Sequence, residues 1–253
     1  MLYTFDIGNT NIKLASFDND KLIDFIIAED FKNLSKVITR EKDTAIAFCS
    51  VVPEKSNYIK ELAKRDFNIE PFEVKLGSFA NIKVMYETPN TLGLDRICSL
   101  QGAISLSTNL PEEQKFKENS FILTIDFGTA TTINFLSYPN NFIGGIICPG
   151  IHTMINSLNK GTAQLPAADI NDYKGLIGTS TNSSISSGII NATVGLIDKT
   201  IAHLKNDKKV DNLLIYVTGG NAKLLIPFLK FNFIYEKALV NYGIKNILSR
   251  NVT

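Results

Sequence analysis

Thr4–Asn11 reads TFDIGNTN, and a related stretch in the second half of the chain, Thr124–Thr131, reads TIDFGTAT. In each copy an apolar run ends in an aspartate, Asp6 or Asp126, and a glycine follows two positions later. Such runs predict buried strands, and a glycine lets the backbone turn sharply where a side chain would clash. Two copies of this strand and turn predict a chain built from two related halves.

The residues that follow each aspartate are suited to binding phosphate. A carboxylate repels phosphate, but it can hold a cation or a metal-bound water, while hydroxyls, amides and backbone N–H groups contact phosphate oxygens directly. A single D-x-G-x-T is more often an ordinary hairpin, because its residue types all favour turns. The duplication favours the phosphate site. The donor residues are Asn9, Thr10 and Asn11 in the first copy and Thr129, Thr131 and Thr132 in the second.

The order of the predicted elements indicates an α/β fold. Apolar periodicity predicts helices over residues 30–40, 54–65, 151–158, 183–204, 223–229 and 239–248. Strands are predicted over residues 2–5, 11–17, 21–28, 44–49, 71–74, 121–136 (as a pair), 142–148 and 212–217. Three strands followed by helix, strand, helix and strand describe a ribonuclease-H-like half. We therefore expect two duplicated ribonuclease-H-like domains with mixed sheets flanked by helices, the actin-like ATPase fold.

Length and composition set limits on the architecture and the partners. The chain has 253 residues, enough for two domains of ordinary size, and the polar interval 107–120 is the best boundary, which predicts domains 1–115 and 116–253. Lys and Arg number 26 against 25 Asp and Glu, so the charge balance indicates neither nucleic acid nor a membrane surface as a partner. With neither a signal peptide nor an apolar run of about 20 residues, we expect a cytoplasmic protein.

The cysteines and histidines argue against two other classes of site. Cys49, Cys98 and Cys148 never approach C-x-x-C spacing, so we expect buried free thiols in a reducing compartment. The two histidines, His152 and His203, lie far apart in the sequence and beside no cysteine or acid at ligand spacing, so a zinc site is not expected. Carboxylates, hydroxyls and glycines are left to carry the chemistry.

Three further stretches have both a structural and a functional interpretation. In YETPNTLGLDR (86–96), Asp95 is either a helix N-terminal charge or a base that accepts a hydroxyl proton, and Arg96 is either a surface residue or a carboxylate ligand. The loop between two phosphate turns favours the functional interpretations. The pair Gly219 and Gly220 is either a tight turn or a surface for a flat ring such as adenine. Thr181 and Ser183 are expected as caps of the long helix.

Taken together, these motifs resemble the type III pantothenate kinases, within the superfamily of acetate and sugar kinases, heat-shock chaperone ATPases and actin. The resemblance runs from Asp6 to about Ala222, and one departure is Ala15, where many members have glycine. The motifs are DIGNTN (6–11), SVVP (50–53), Tyr86 with GLDR (93–96), DFGTATT (126–132), GGIICPG (144–150), TAQLP (162–166), the helix entry at Gly178 and Thr181, and TGGNA (218–222).

The resemblance implies ATP-dependent phosphorylation of pantothenate to 4'-phosphopantothenate, the first step of coenzyme A synthesis. It implies Asp95 as the general base, Asp6 as the residue that organises Mg²⁺, and Asp126 as a ligand of a monovalent cation, K⁺ or NH₄⁺. The implied ATP-binding residues are Asp6, Gly8, Asn9, Thr10, Asn11, Lys13, Gly128, Thr129, Gly219 and Gly220. The implied pantothenate-binding residues are Tyr86, Gly93, Leu94, Arg96 and Thr181, the last reaching across a homodimer with a shared active site.

Two alternatives from other classes fit the same motifs less well. A non-catalytic regulatory protein on this scaffold is disfavoured by the intact Asp6, Asp95, Arg96 and Asp126, and by the lack of a basic patch for DNA. A chaperone-like or actin-like ATPase would require a considerably longer chain.

Overall fold

A computed structural model describes residues 1–32, 34–39, 43–79, 81–210 and 212–251. The strands are β1 (Leu2–Ile7), β2 (Ile12–Asp18), β3 (Lys21–Ala28), β4 (Ala45–Ser50), β5 (Phe72–Glu73), β6 (Lys83–Val84), β7 (Ser120–Phe127), β8 (Ala130–Ser137), β9 (Asn141–Pro149), β10 (Asn212–Thr218) and β11 (Ile234–Tyr235). The helices are α1 (Pro53–Leu62), α2 (Leu94–Ser107), α3 (Ile151–Gly161), α4 (Thr181–Ala202), α5 (Ala222–Leu225) and α6 (Leu239–Asn251). Within the described ranges, no helix is both long and apolar enough to cross a bilayer.

The first sheet contains the predicted meander and has the strand order β3-β2-β1-β4-β5. β1 and β2 run antiparallel, as do β2 and β3, while β4 lies parallel to β1 and β5 lies parallel to β4. β1 is central and therefore buried on both faces, which explains its continuous apolar run. Asp6 lies near the carboxyl end of β1, beside Cys49 of β4 in the register.

The second sheet repeats this arrangement in the order β11-β10-β7-β8-β9-β6. β7, β8 and β9 follow one another as the first three strands do, and β10 lies parallel to β7 with Thr218 opposite Asp126. The prediction of a duplicated mixed α/β fold is confirmed by these two sheets. The two-residue strands β6 and β11 were not predicted, because two residues carry no periodicity.

Contacts divide the chain into two compact units whose segments interleave. The first unit holds residues 1–118, 134–144 and 238–253, and the second holds residues 119–133 and 145–237. The predicted domains 1–115 and 116–253 are the two duplicated halves of the sequence, whereas these units group residues by their contacts. The contact units do not test that boundary, which stays a prediction.

The first unit buries an apolar core on one side of its sheet and a helix pair on the other. The core combines Tyr3, Phe5 and Ile7 of β1 with Phe48 of β4 and side chains from the loop and helix that follow. On the other side, the Asn241 side chain of α6 donates hydrogen bonds to the Thr4 carbonyl oxygen at 2.9 Å and the Lys13 carbonyl oxygen at 3.2 Å. These bonds attach α6 to β1, which carries Asp6, and to β2, which carries Lys13.

The helix predicted over residues 30–40 is wrong, and residues 33 and 40 of that range lie outside the described residues. Among the described residues of this range, a 3₁₀ turn forms over Leu34–Lys36. The Asp30 carboxylate accepts a hydrogen bond from the Lys32 N–H at 2.9 Å, and this local turn competes with helix formation. Phe31, Leu34 and Ile38 are nevertheless buried. The apolar spacing therefore predicted correctly which residues are buried, but it predicted the wrong secondary structure.

Two other predicted helices are α-helical over only part of their predicted range. The helix predicted over residues 54–65 ends as an α-helix at Leu62 and continues as a π-helical turn, Ala63–Phe67. The helix predicted over residues 223–229 has only four α-helical residues before a 3₁₀ turn that contains Pro227. Proline lacks an N–H and clashes with the preceding turn, so the helix cannot continue through it.

Candidate functional site

The first predicted phosphate turn joins β1 to β2. Its backbone is closed by a hydrogen bond from the Gly8 N–H to the Asn11 carbonyl oxygen at 3.0 Å, and the next two residues, Asn9 and Thr10, are exposed. The Asp6 side chain is largely buried, and Lys13, its direct cross-strand neighbour, places its ammonium 3.0 Å from Oδ2. The turn therefore presents the exposed residues Asn9 and Thr10 beside the Asp6 carboxylate, which is paired with the Lys13 ammonium.

Lys55, a residue that the sequence motifs did not indicate, also binds this turn. It lies in the first turn of α1, and its Nζ is 2.9 Å from the carbonyl oxygen of Gly8 and 3.0 Å from that of Asn9. The available signal was the Ser50–Pro53 stretch, because Pro53 at the first helical position begins α1 and places Lys55 within its first turn.

Arg96 lies in the interior of the first unit, with only 5% of its surface exposed. Its Nε donates to the Asn134 side-chain oxygen at 2.6 Å, and its guanidinium carbon lies 5.6 Å from the ring centroid of Tyr86 and 5.5 Å from that of Phe142. Among the described residues, its buried Nη2 has no hydrogen-bond partner. The interpretation of Arg96 as a surface residue is therefore wrong. Asn134 and Phe142 were missed because they lie far from Arg96 in the sequence.

Asp95 lies at the amino end of α2, as predicted. The helix begins at Leu94, with Gly93 in the N-cap position and an extended backbone. The Asp95 carboxylate folds back over Gly93, where a Cβ would lie only 2.5 Å from Oδ1. Position 93 must therefore be glycine for Asp95 to adopt this conformation.

A buried thiol pair links the surroundings of Asp6 and Asp95. The pKa of Cys49 is raised well above its usual value, first by a hydrogen bond with Cys98 and then by burial. Asp6 lies opposite Cys49 in the register of β1 and β4, and Cys98 follows Asp95 by three residues on α2. The first unit brings the predicted metal-organising acid and the predicted base to the same region.

In the second unit, the carbonyl groups of the repeated turn are held by three donors at the starts of α3 and α5. The Gly150 N–H donates to the Thr129 carbonyl oxygen at 2.9 Å, and Thr153 Oγ1 donates to the same oxygen at 2.7 Å. The Asn221 side chain donates to the Gly128 carbonyl oxygen at 3.2 Å. As at Lys55 in the first unit, the carbonyl groups of the turn accept hydrogen bonds from residues outside it.

Gly219 lies directly against the second aspartate. Its φ of +103° is a conformation that other residues rarely adopt, and a Cβ there would lie 2.5 Å from both Asp126 Oδ1 and the Phe127 nitrogen. At Gly220, by contrast, an added Cβ would meet nothing within 4 Å, so packing does not require glycine there. The close approach of the predicted glycine turn to Asp126 places two of the expected binding elements together.

Thr181 is the first residue of α4, and the prediction that it caps this helix is wrong. Ser180 is the N-cap: its Oγ accepts from the Ser183 N–H at 3.2 Å, and Ser183 Oγ accepts from the Ser180 N–H at 2.9 Å. Ser183 is thus the inner member of a capping box rather than the cap itself. Thr181 is exposed and lines an open cavity of about 570 Å³ together with Leu165, Gly178, Thr179, Ser180, Ser184 and Ile185.

Comparison with known proteins decides the family. Residues 2–203 match the family described as type III pantothenate kinase. This chain belongs to the type III pantothenate kinase family. The resemblance to this family that the sequence motifs indicated is confirmed. The expectation of an ATP-dependent kinase that performs the first step of coenzyme A synthesis is confirmed with it.

Full-length relatives in the type III pantothenate kinase family support the assignment. A type III pantothenate kinase of Legionella pneumophila strain Corby is 31% identical over 95% of this chain and 99% of its own length. One from Thermosipho africanus strain TCF52B is 34% identical, with 96% of each chain covered. Both alignments cover essentially the whole chain.

Solved structures confirm the fold of this type III pantothenate kinase family member. A Campylobacter jejuni protein described as a Baf family transcriptional activator has a TM-score of 0.60 at 21% identity, covering 99% of this chain and 98% of that one. A Sinorhizobium meliloti protein described as a 2-dehydro-3-deoxygalactonokinase has a TM-score of 0.52 at 10% identity, with 99% and 97% covered. At these identities the likeness shows the fold alone. The description of the Campylobacter jejuni protein therefore does not support a regulatory role for this chain.

Proposed function

We propose that this chain transfers the γ-phosphoryl group of ATP to the primary hydroxyl of pantothenate and that Arg96 binds the pantothenate carboxylate. The observation that carries the proposal is the buried Arg96 Nη2, which has no partner among the described residues. A buried donor left without an acceptor costs about 1–3 kcal/mol, and more when it is charged. A substrate carboxylate would remove that cost and neutralise the guanidinium.

The aromatic rings beside Arg96 favour recognition in the plane of the guanidinium. Tyr86 and Phe142 stand with their centroids 5.7 Å apart, and the guanidinium carbon lies 5.6 Å from the first centroid and 5.5 Å from the second. Ring faces stabilise a cation without accepting its in-plane N–H bonds. Asn134 accepts from Nε, which leaves Nη2 for a ligand carboxylate.

Asp95 is proposed as the general base for the pantothenate hydroxyl. Its position in the first turn of α2 favours the ionised form, because the free N–H groups and the helix dipole stabilise negative charge there. Arg96 is its neighbour in the chain, so the carboxylate ligand and the base belong to one helix end. Gly93 and Leu94 would line the path of pantothenate between them.

The two phosphate turns are proposed to bind ATP. The proposed ATP-binding residues of the first turn are Gly8, Asn9, Thr10 and Asn11, together with Lys13. Those of the second turn are Gly128 and Thr129. Gly219 and Gly220 would lie against the adenine. Asp6 fits a role with Mg²⁺, because its carboxylate is largely buried and already holds the Lys13 ammonium at 3.0 Å. Mg²⁺ typically uses one or two carboxylates together with substrate phosphates. Bound there, it would neutralise charge on the transferring phosphoryl group.

Asp126 is proposed as a ligand of a monovalent cation, K⁺ or NH₄⁺. The surroundings fit such an ion, because the backbone at Gly219 approaches Asp126 Oδ1 so closely that no side chain could lie between them. The Asp126 carboxylate would supply an oxygen ligand, the ligand type that hard cations prefer.

A homodimer with a shared active site is proposed, with Thr181 reaching pantothenate in the partner subunit. Thr181 lines an open cavity, and the neighbouring Leu176 and Ile177 are 73% and 82% exposed. Exposed apolar side chains of this size often mark an interface. Light scattering at assay concentrations should give twice the chain mass, and a monomer would contradict this part of the proposal. The cytoplasmic location also stays a prediction, consistent with the free thiols of Cys49, Cys98 and Cys148.

The role of Arg96 can be tested with a substrate that lacks the carboxylate. We expect the wild-type protein to have a much lower KM for pantothenate than for pantothenyl alcohol, in which a neutral hydroxymethyl group replaces the carboxylate. Arg96→Met should raise the pantothenate KM by about 10- to 100-fold, the loss expected for a charged hydrogen bond, while leaving the KM for ATP within about twofold.

The preference for the carboxylate is the decisive quantity in this experiment. Arg96→Met should bring the two KM values close together, whereas Arg65→Met, which removes an exposed arginine paired with Asp66, should leave them unchanged. A variant without Arg96 that still prefers pantothenate over the alcohol by the wild-type ratio would refute the assignment.

A further inference from the structure

The position of Lys55 is not explained by the helix that carries it. A cation in the first turn of a helix opposes the positive end of the helix dipole and is therefore unfavourable there. Lys55 lies in the first turn of α1, half-buried, and its ammonium is within 3.0 Å of two carbonyl oxygens of the first phosphate turn. These two charge-assisted hydrogen bonds offset the unfavourable position.

The two carbonyl groups belong to consecutive peptide units of the turn. In a trans peptide the C=O and the following N–H point in opposite directions. The Gly8 carbonyl shares its peptide with the Asn9 N–H, and the Asn9 carbonyl shares its peptide with the Thr10 N–H. By drawing both carbonyl groups toward α1, Lys55 directs both N–H groups away from α1, to the other side of the turn.

Two successive N–H groups that point the same way form a concave site for an anion. Asn9 and Thr10 are both exposed, so a ligand can reach this side of the turn. The Gly8 N–H is engaged with the Asn11 carbonyl oxygen at 3.0 Å, which fixes the far end of the same turn. The turn is thus held at two places, once by its own backbone and once by Lys55.

We propose that Lys55 is a positioning residue for the nucleotide, acting through the backbone of residues 8–10 to orient the amides that bind ATP phosphate oxygens. The inference rests on the proposed function for the identity of the anion. It predicts an effect on nucleotide affinity that is separate from pantothenate binding, because Lys55 lies at the turn and has no contact with Tyr86 or Arg96 among the described interactions.

Lys55→Met tests the role, because methionine keeps most of the side-chain length and removes the ammonium. We expect the dissociation constant of Mg·ATP, measured by calorimetry, and the KM for ATP to rise about tenfold, the loss expected for charged hydrogen bonds. The KM for pantothenate should stay within about twofold. Lys55→Arg should recover most of the affinity, because guanidinium also donates to carbonyl oxygens.

Lys60→Met is the matched control. Lys60 lies on the same helix and pairs with Glu73 at 2.9 Å, away from the phosphate turn. It should lose about as much thermal stability as Lys55→Met and none of the nucleotide affinity. This separates positioning of the turn from a general contribution of α1 to the fold.

Each outcome of the experiment is decisive. Wild-type-like ATP affinity in Lys55→Met overturns the role of Lys55 alone, and so does an equal rise of both KM values. Failure of the wild-type protein to bind nucleotide overturns the proposed function and the role of Lys55 with it. Nucleotide binding without pantothenate-dependent turnover overturns the proposed acceptor but leaves the role of Lys55 to be decided by the calorimetry.

Discussion

Asp95 and Arg96 are adjacent in the chain and have different environments. Asp95 is partly exposed at the helix end, where it can meet a substrate hydroxyl, whereas Arg96 points into the unit and is enclosed by Tyr86, Phe142 and Asn134. The difference follows from helix geometry, because consecutive residues differ by about 100° around the axis. One helix terminus can therefore supply a base and an anchoring cation at a fixed separation.

Replacement of Asp95 tests the chemical step. Asp95→Asn keeps the shape and removes the proton acceptor, so we expect kcat to fall by about 10²-fold or more, as for loss of a general base. The affinity for ATP should change little, because the nucleotide is proposed to bind the phosphate turns. Steady-state assays with calorimetry of ATP binding would measure both quantities. Asp66→Asn, at an exposed pair with Arg65, is the control; wild-type turnover by Asp95→Asn would exclude the base assignment.

At the residue scale, local motifs predicted candidate residues within them, and they did not indicate the residues that contact those candidates from distant parts of the chain. Asp6, Asp95 and Arg96 were identified from their local pattern. Asn134 was missed because a buried asparagine in a strand has no local signature. Lys55 was missed because its partners are backbone carbonyl oxygens. Every residue has such a group, so the sequence of the turn does not indicate the contact.

At the element scale, α2 is held in place by α6 through two glycines. A Cβ at Gly102 would overlap the Leu239 carbonyl oxygen, and one at Gly243 would overlap the Cys98 carbonyl oxygen. The helix backbones therefore touch, which larger residues would prevent. This contact fixes the helix whose amino end carries Asp95 and Arg96.

Gly243→Ala should destabilise the protein because the added methyl group cannot be accommodated. We expect a loss of about 1–3 kcal/mol, which for a chain of this size lowers Tm by about 2–4 °C per kcal/mol. Gly195→Ala is the matched control, because Gly195 lies inside α4 with nothing within 4 Å and should gain about 0.5–1 kcal/mol from helix propensity. Thermal melts of both variants measure the difference. A stabilised Gly243→Ala would contradict the close packing of α2 and α6.

Elements with a clear period were predicted and elements without one were not. The meander of β1, β2 and β3 and the long helix α4 followed from alternation and from apolar spacing. The stretch 30–40 has helical spacing but forms a 3₁₀ turn, because a local side-chain hydrogen bond and burial by distant strands decide its conformation. In this stretch the apolar spacing predicts which residues are buried, but it does not predict the secondary structure that they adopt.

At the scale of the whole molecule, the duplication predicted the two related sheets but not the way in which the chain is shared between compact units. Residues 134–144 and 238–253 group with the first unit although they lie in the second half of the sequence. This sharing matters for the proposed site, since residues 134–144 supply Asn134 and Phe142 to the surroundings of Arg96. Contacts between distant segments are a tertiary property that no local pattern encodes.

The central claim is that pantothenate is the acceptor of the phosphoryl group. The most direct measurement is ADP release by the purified wild-type protein with Mg·ATP, with and without pantothenate, in K⁺ and then in Na⁺. We predict ADP release that depends on pantothenate, with turnover on the order of 1 s⁻¹ or faster and a higher rate in K⁺. ADP release that is absent, or that is the same without pantothenate, would contradict this claim.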